Sequence, residues 1–391
     1  MPGPRLVTAR FVLLVVSGIG YFVAIGSLLP VLPRYVRDET GGGDVAVGLV
    51  FGVFSIGAIA VRPSLGRLGD RSGRRILVVG GAIVAGASIA LYGAAGSLVP
   101  LVAARVLTGV GEAAYFVGAA TTATDLAPPE RRGEAVSYFS VAVYGGLAFG
   151  PVLGEQVLQA GGFGAVWWTA VGLCAWAAVL GTTVPVIRHP EHERRRLLHP
   201  LGLPPGVVLG LGLVAVAGFA AFVPLYVEEL GMGDSGALFM MYGGLVLAVR
   251  VVGARIPDAL GPRRSGTGAL TAIAAGMALV AAWGKPAGLY AGVAVFAVGM
   301  SLLFPALMAL AVTDVPESER TSVVGTFTMF FDLAQGGGAL LLGAVAAAGG
   351  YRAAFLAAAT LALAGLALLL GGIDPRARRD VAGPVAVPPP A

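Results

Sequence analysis

Runs of about twenty apolar residues recur along the whole 391-residue chain, separated by short breaks rich in Arg, Gly and Pro. A helix rises 1.5 Å per residue and satisfies its own backbone, so about 20 apolar residues suffice to cross roughly 30 Å of hydrocarbon. Twelve runs meet that requirement, at 10–33, 45–65, 76–95, 98–122, 134–158, 163–186, 206–227, 236–256, 266–284, 287–312, 321–347 and 352–373. With 57% hydrophobic residues, the chain carries more apolar surface than a single soluble core would bury. The fold expected is an all-α integral membrane protein of 12 transmembrane helices. The first run is too long for a signal-peptide core, and PVLPRYVRDE follows it instead of a small-residue cleavage site, so it stays as a helix.

Basic residues set the orientation. Nineteen of the 26 Lys and Arg fall in the loops on one side, whereas only Arg34, Arg37, Lys285 and Arg352 fall on the other. The positive-inside bias therefore predicts a multi-pass plasma-membrane protein with both termini cytoplasmic. Arg62, Arg105 and Arg250 lie inside apolar runs. A net charge of +5 distributed in this way is a topology signal and gives no reason to expect a nucleic-acid partner. The lone Cys174 excludes a disulfide framework. The three His residues all fall in the polar segment VIRHPEHERRRLLHPLGLPPG, which offers no converging metal ligands. No phosphate-binding loop or nucleophile–base constellation is present, so no cofactor and no enzymatic activity are expected.

That polar segment divides the chain into six runs and six. The organisation expected is a six-helix bundle over 1–186, a linker over 187–205, a second six-helix bundle over 206–373 and a disordered tail over 374–391. The halves repeat. AVRPSLGRLGDRSGRR near the second run corresponds to AVRVVGARIPDALGPRR near the eighth, pairing Arg62 with Arg250, Asp70 with Asp258 and Gly73 with Gly261, each 188 apart. TDLAPPER and TDVPESER match at a spacing of 189. Two pseudo-symmetric bundles of this kind suit a substrate site at the repeat interface and access that alternates by rocking.

GRLGDRSGRR, Gly66 to Arg75, resembles the loop signature between the second and third helices of the major facilitator superfamily. RVLTGVGEA, from Arg105, is similar to its fourth-helix signature. GGLAFGPVLGE, Gly145 to Glu155, resembles the fifth-helix antiporter signature, and LLPVLP, Leu28 to Pro33, the first-helix signature of twelve-helix drug:proton antiporters. Ala24, Ser137 and Glu155 stand where those patterns have Gly. The resemblance implies proton-coupled efflux of a small hydrophobic or cationic compound by a monomer in the lipid bilayer. Import of a metabolite by a symporter or facilitator is the alternative.

Candidate residues follow from cost. An ionisable group inside the membrane is expensive unless it meets a cavity or a partner. Glu112 and Arg105 lie seven apart on one helix face and are expected to pair, with Glu112 carrying the proton. Asp332 and Glu155 are the further proton-coupling candidates, Glu155 reaching toward the headgroups. Arg62 and Arg250 are expected to anchor at the membrane interface. Tyr21, Tyr115 and Tyr144 are candidate cavity residues. The resemblance implies that Asp70 docks at the start of the eleventh helix in the outward-facing state, while Arg71 and Arg74 are placed to pair with Asp125. Gly66, Gly73 and, in the second half, Asp258 complete this switch. Gly146, Gly150 and Gly154, spaced four apart beside Pro151, form a stripe against which another helix packs closely.

Overall fold

The computed structural model describes residues 6–128, 131–186, 199–252, 260–313 and 315–371, and among these all regular structure is helical. Helix α1 (Ala9–Ser27) begins at Thr8, whose hydroxyl accepts the Phe11 N–H, and the short α2 (Val31–Asp38) continues it. There follow α3 (Asp44–Ser72), α4 (Arg74–Ala90), α5 (Leu98–Asp125) and α6 (Arg132–Gly181). The second half comprises α7 (Leu203–Glu229), α8 (Gly236–Val252), α9 (Pro262–Ala282), α10 (Pro286–Val312) and α11 (Glu317–Gly371).

Among the described residues, nine helical stretches are long and apolar enough to cross a bilayer, and two of them run for 50 residues. Those two are too long for one crossing. Each breaks at a glycine in left-handed backbone, Gly162 (φ 71°) in α6 and Gly350 (φ 79°) in α11, so α6 and α11 each make two passes. With the 17-residue α8, the described residues make the twelve passes expected.

The repeat is visible in the backbone. Gly73 and Gly261, both at positive φ, start α4 and α9, and they stand 188 residues apart, as Gly162 and Gly350 do. Any side chain would be strained at those angles, so each glycine fixes a reversal at an equivalent point of its half.

Within the first half α1 lies along α6 and α4 along α5; within the second, α7 lies along α11 and α9 along α10. The glycine stripe makes the first of these contacts possible: a Cβ on Gly150 would fall 2.7 Å from the Cα of Gly26 in α1. The stripe therefore packs inside one half and not between halves. The halves meet along two seams, α3 with α11 and α6 with α8. Both seams are tight toward the face opposite the start of α1 and the end of α11. A Cβ on Gly343 would lie 2.7 Å from the Asp44 carbonyl oxygen, and one on Gly236 3.3 Å from the Cα of Val152. Toward the arginine-rich face, Gly66 and Gly325 would meet nothing within 4 Å. Among the described residues, the halves are thus closed at the opposite face and parted at the arginine-rich one.

Candidate functional site

Among the described residues, charged contacts cross between the halves at four places, one of them the Tyr351 hydroxyl of α11 donating to Asp44 Oδ1 of α3 at 3.2 Å. Midway along the first seam, Arg62 of α3 donates from Nη2 to Asp332 Oδ1 of α11 at 2.9 Å. Asp332 is buried, and its Oδ2 has no hydrogen-bond partner; neither has Arg62 Nε. Glu112 of α5, half-buried, lies within electrostatic reach of both and forms no hydrogen bond or ion pair with any described residue. One guanidinium therefore serves two carboxylates from opposite halves, and the set carries one negative charge more than it neutralises. In a low-dielectric interior that excess is costly, and a proton removes it.

At the second seam Arg250 of α8 lies over the ring of Tyr144 of α6, with Cζ 4.2 Å from the centroid. This is a cation–π contact. Arg250 forms no hydrogen bond or ion pair with any described residue, and its Nε is buried without a partner.

Another contact locks the closed face. Arg34 in α2 pairs with Glu155 of α6 and, through Nε, with Glu228 of α7; Arg37 reaches the same Glu228 at 2.7 Å. Glu155 Oε1 also accepts the backbone N–H of Ser235 at 3.0 Å and its hydroxyl at 2.8 Å. Ser235 immediately precedes α8, so a carboxylate of the first half docks on the positive N-terminal end of a helix of the second. Glu155 is 3% exposed, so these partners hold a charge that would otherwise be unpaired in the interior.

Two repeated halves, parted at one face, locked at the other and joined by charged residues midway, form the architecture of a protein that opens to alternate sides. The sequence matches the Major Facilitator Superfamily over residues 13–339 and 267–389. The chain belongs to that superfamily. It is 30% identical over 383 residues, covering 94% of both chains, to an uncharacterized MFS-type transporter of Burkholderia pseudomallei. A second such transporter, of Salmonella typhimurium, is 31% identical over 360 residues, which span 89% of this chain and 92% of that one. Among solved structures, the fold resembles that of a bacterial homologue of the human lysosomal transporter Spinster, crystallised in an inward-facing, occupied conformation. The TM-score is 0.75 at 17% identity, over 92% of this chain and 95% of that one.

The superfamily loop signature lies at the parted face. Arg74 Nη2 bonds Asp70 Oδ1 at 2.8 Å, one helical turn away, and its Nε lies 3.5 Å from Asp125 Oδ2, tying α3, α4 and α5 together. Asp70 is thus held by its own half in this conformation, in place of the docking at the start of α11 expected for the outward-facing state. Arg71 is exposed, and Asp258 lies outside the described residues.

Several other expectations are corrected. Arg105 does not pair with Glu112. It is buried near the closed face, donates to the Val50 carbonyl at 3.1 Å and to the Tyr92 hydroxyl at 3.3 Å, and lies over the Phe54 ring. Two turns of helix separate it from Glu112 by roughly 10 Å along the axis, and the nearer partners win. Arg62 does not anchor at the interface but joins the halves. Glu155 does not reach outward, because Arg34 and Ser235 draw it in. Tyr21 and Tyr115 are fully buried, stacked at 3.8 Å inside the first half, with Tyr115 hydrogen-bonded to Ser17 at 2.7 Å. Of the three candidate cavity tyrosines, only Tyr144 keeps exposed surface and takes part in a contact between halves.

Cross-half partners that the sequence did not single out include Arg34, Arg37, Glu228 and Ser235. Arg34 and Glu228 did carry a signal: both are ionisable and stand at the ends of apolar runs on the side poor in basic residues.

Proposed function

We propose that this superfamily transporter is a proton-coupled exporter of a small hydrophobic or cationic compound, acting as a monomer in the plasma membrane with its termini and arginine-rich face in the cytoplasm. The observation that carries the reading is the Arg62–Asp332 pair with Glu112 beside it. One guanidinium set between two carboxylates of different halves links proton occupancy to the contact between those halves. A proton on Asp332 weakens its hold on Arg62, which is then free to turn toward Glu112 in its own half. Proton uptake and loosening of the α3–α11 seam become one event. The likeness of Gly145 to Glu155 and of Leu28 to Pro33 to antiporter signatures supports exchange of proton for substrate, and hence efflux.

Everted membrane vesicles test this. Adding substrates from a broad panel of drugs and metabolites to an energised preparation should dissipate the inward proton gradient, and Glu112→Gln should abolish that response. Silence across the panel, or full coupling in the variant, would overturn the reading.

A further inference from the structure

The repeat relates the two charged seams. Arg250 stands 188 residues after Arg62, and Asp332 stands 188 residues after Tyr144. Each arginine reaches across to the residue that the repeat makes equivalent: Arg62 to Asp332, Arg250 to Tyr144. Exchanging the halves turns the α3–α11 seam into the α8–α6 seam, so the two contacts lie on opposite sides of the pseudo-two-fold axis, with the space between the halves around that axis.

The geometry is matched but the charge is not. On the first side Arg62, Asp332 and Glu112 sum to one negative charge. On the second the carboxylate is replaced by an aromatic face. Tyr242, two turns before Arg250, is within electrostatic reach of Tyr144 and Arg250 and stacks on Phe296 at 5.2 Å. An aromatic face offsets only part of the cost of a guanidinium inside a membrane. The five N–H donors of Arg250 meet no described acceptor, and the residue is only half-buried.

We propose that the space between the halves is bipolar and takes an amphoteric organic compound, its cationic centre toward Glu112 and Asp332 and its carboxylate or other anionic group on Arg250. The proposal rests on the transport reading above and narrows its substrate class. The rings of Tyr144 and Tyr242 would pack on an apolar body carrying the anionic group.

Three dyes on one xanthene scaffold separate the charges: rhodamine B carries both a cation and a carboxylate, its ethyl ester only the cation, and fluorescein only negative charge. Their equilibrium binding to the full chain in lipid nanodiscs, with empty nanodiscs subtracted, is read by fluorescence polarisation. The wild type should bind rhodamine B about tenfold or more tighter than the ester, as expected for a hydrogen bond to a charged group, and tighter than fluorescein. Arg250→Gln should reverse the acid-over-ester order, losing rhodamine B and gaining ester because a repelling charge is gone. Arg250→Lys, which keeps the charge, should retain the order, and Glu112→Gln should weaken both xanthylium dyes. Equal or tighter binding of the ester to the wild type, an equal shift of both dyes in Arg250→Gln, a reversed order in Arg250→Lys, or no binding of any dye would overturn the proposal. Because binding is measured without a gradient, a failure of proton coupling leaves these affinities unchanged. Failure of dye selectivity likewise leaves the vesicle result standing.

Discussion

Glu155 stands where the antiporter signature has glycine, and the consequence of that exchange is a lock. Its carboxylate holds Arg34 in its own half and the start of α8 in the other. Removing one partner of a buried ion pair costs about 3–5 kcal/mol, enough to shift a balance between two conformations of similar energy. Glu155→Gln should therefore populate the state opened at this face. Ala148→Cys, placed in the α6–α8 seam under Gly243, reports it, since the native Cys174 is buried and stays silent. Labelling by a polar maleimide should rise several-fold in the Glu155→Gln background; unchanged labelling would refute the lock. Arg105 works differently, because both its acceptors and the rings beneath it belong to its own half. Arg105→Ala should cost about 3 kcal/mol of stability, seen as a lower thermal-unfolding temperature in detergent.

Among the helices, small residues set how closely elements approach, and glycine conformation sets where they turn. Gly150 is crowded by the backbone of α1, which cannot rotate away as a side chain can. Gly150→Leu should prevent α1 and α6 from packing, giving aggregated protein in size-exclusion chromatography. A Cβ added at Gly162 would meet nothing within 4 Å, so the cost of substitution there is conformational alone. Gly162→Ala should remain monodisperse and lose about 1 kcal/mol in thermal unfolding. A reversal of that ranking would contradict the roles assigned to the two glycines.

Taken as a whole, the molecule holds two halves in one arrangement, closed here at the face opposite the arginine-rich one. Arg62→Gln should uncouple it in proteoliposomes: downhill substrate flux persists while proton-driven accumulation is lost, and retained accumulation would remove Arg62 from the coupling set. Asp70→Asn, in the loop at the parted face, should slow turnover without weakening substrate binding. Much of this was legible in the sequence. Twelve passes, two repeated halves, the Gly73 and Gly261 turns and the superfamily follow from local properties, since hydrocarbon demands apolar length, reversals demand glycine, and duplication leaves the same residues at one offset. The partners of the charged residues were not legible. From sequence, Glu112 had a neighbour two turns away in Arg105, Arg62 an interface to reach, and Glu155 a nearby headgroup region; each instead depends on residues far along the chain or on another helix of the same half. A buried charge takes whichever partner the packed helices bring within about 3 Å, and that distance is fixed by how two bundles meet, which periodicity and composition along one chain do not encode. Apolar length, the fixed repeat offset and the charges inside apolar runs are properties read along one chain, and they suffice to specify a helical, duplicated membrane protein with costly charges inside it. Which of those charges join the halves is a property of packing, because it depends on the register in which α3 meets α11 and α6 meets α8.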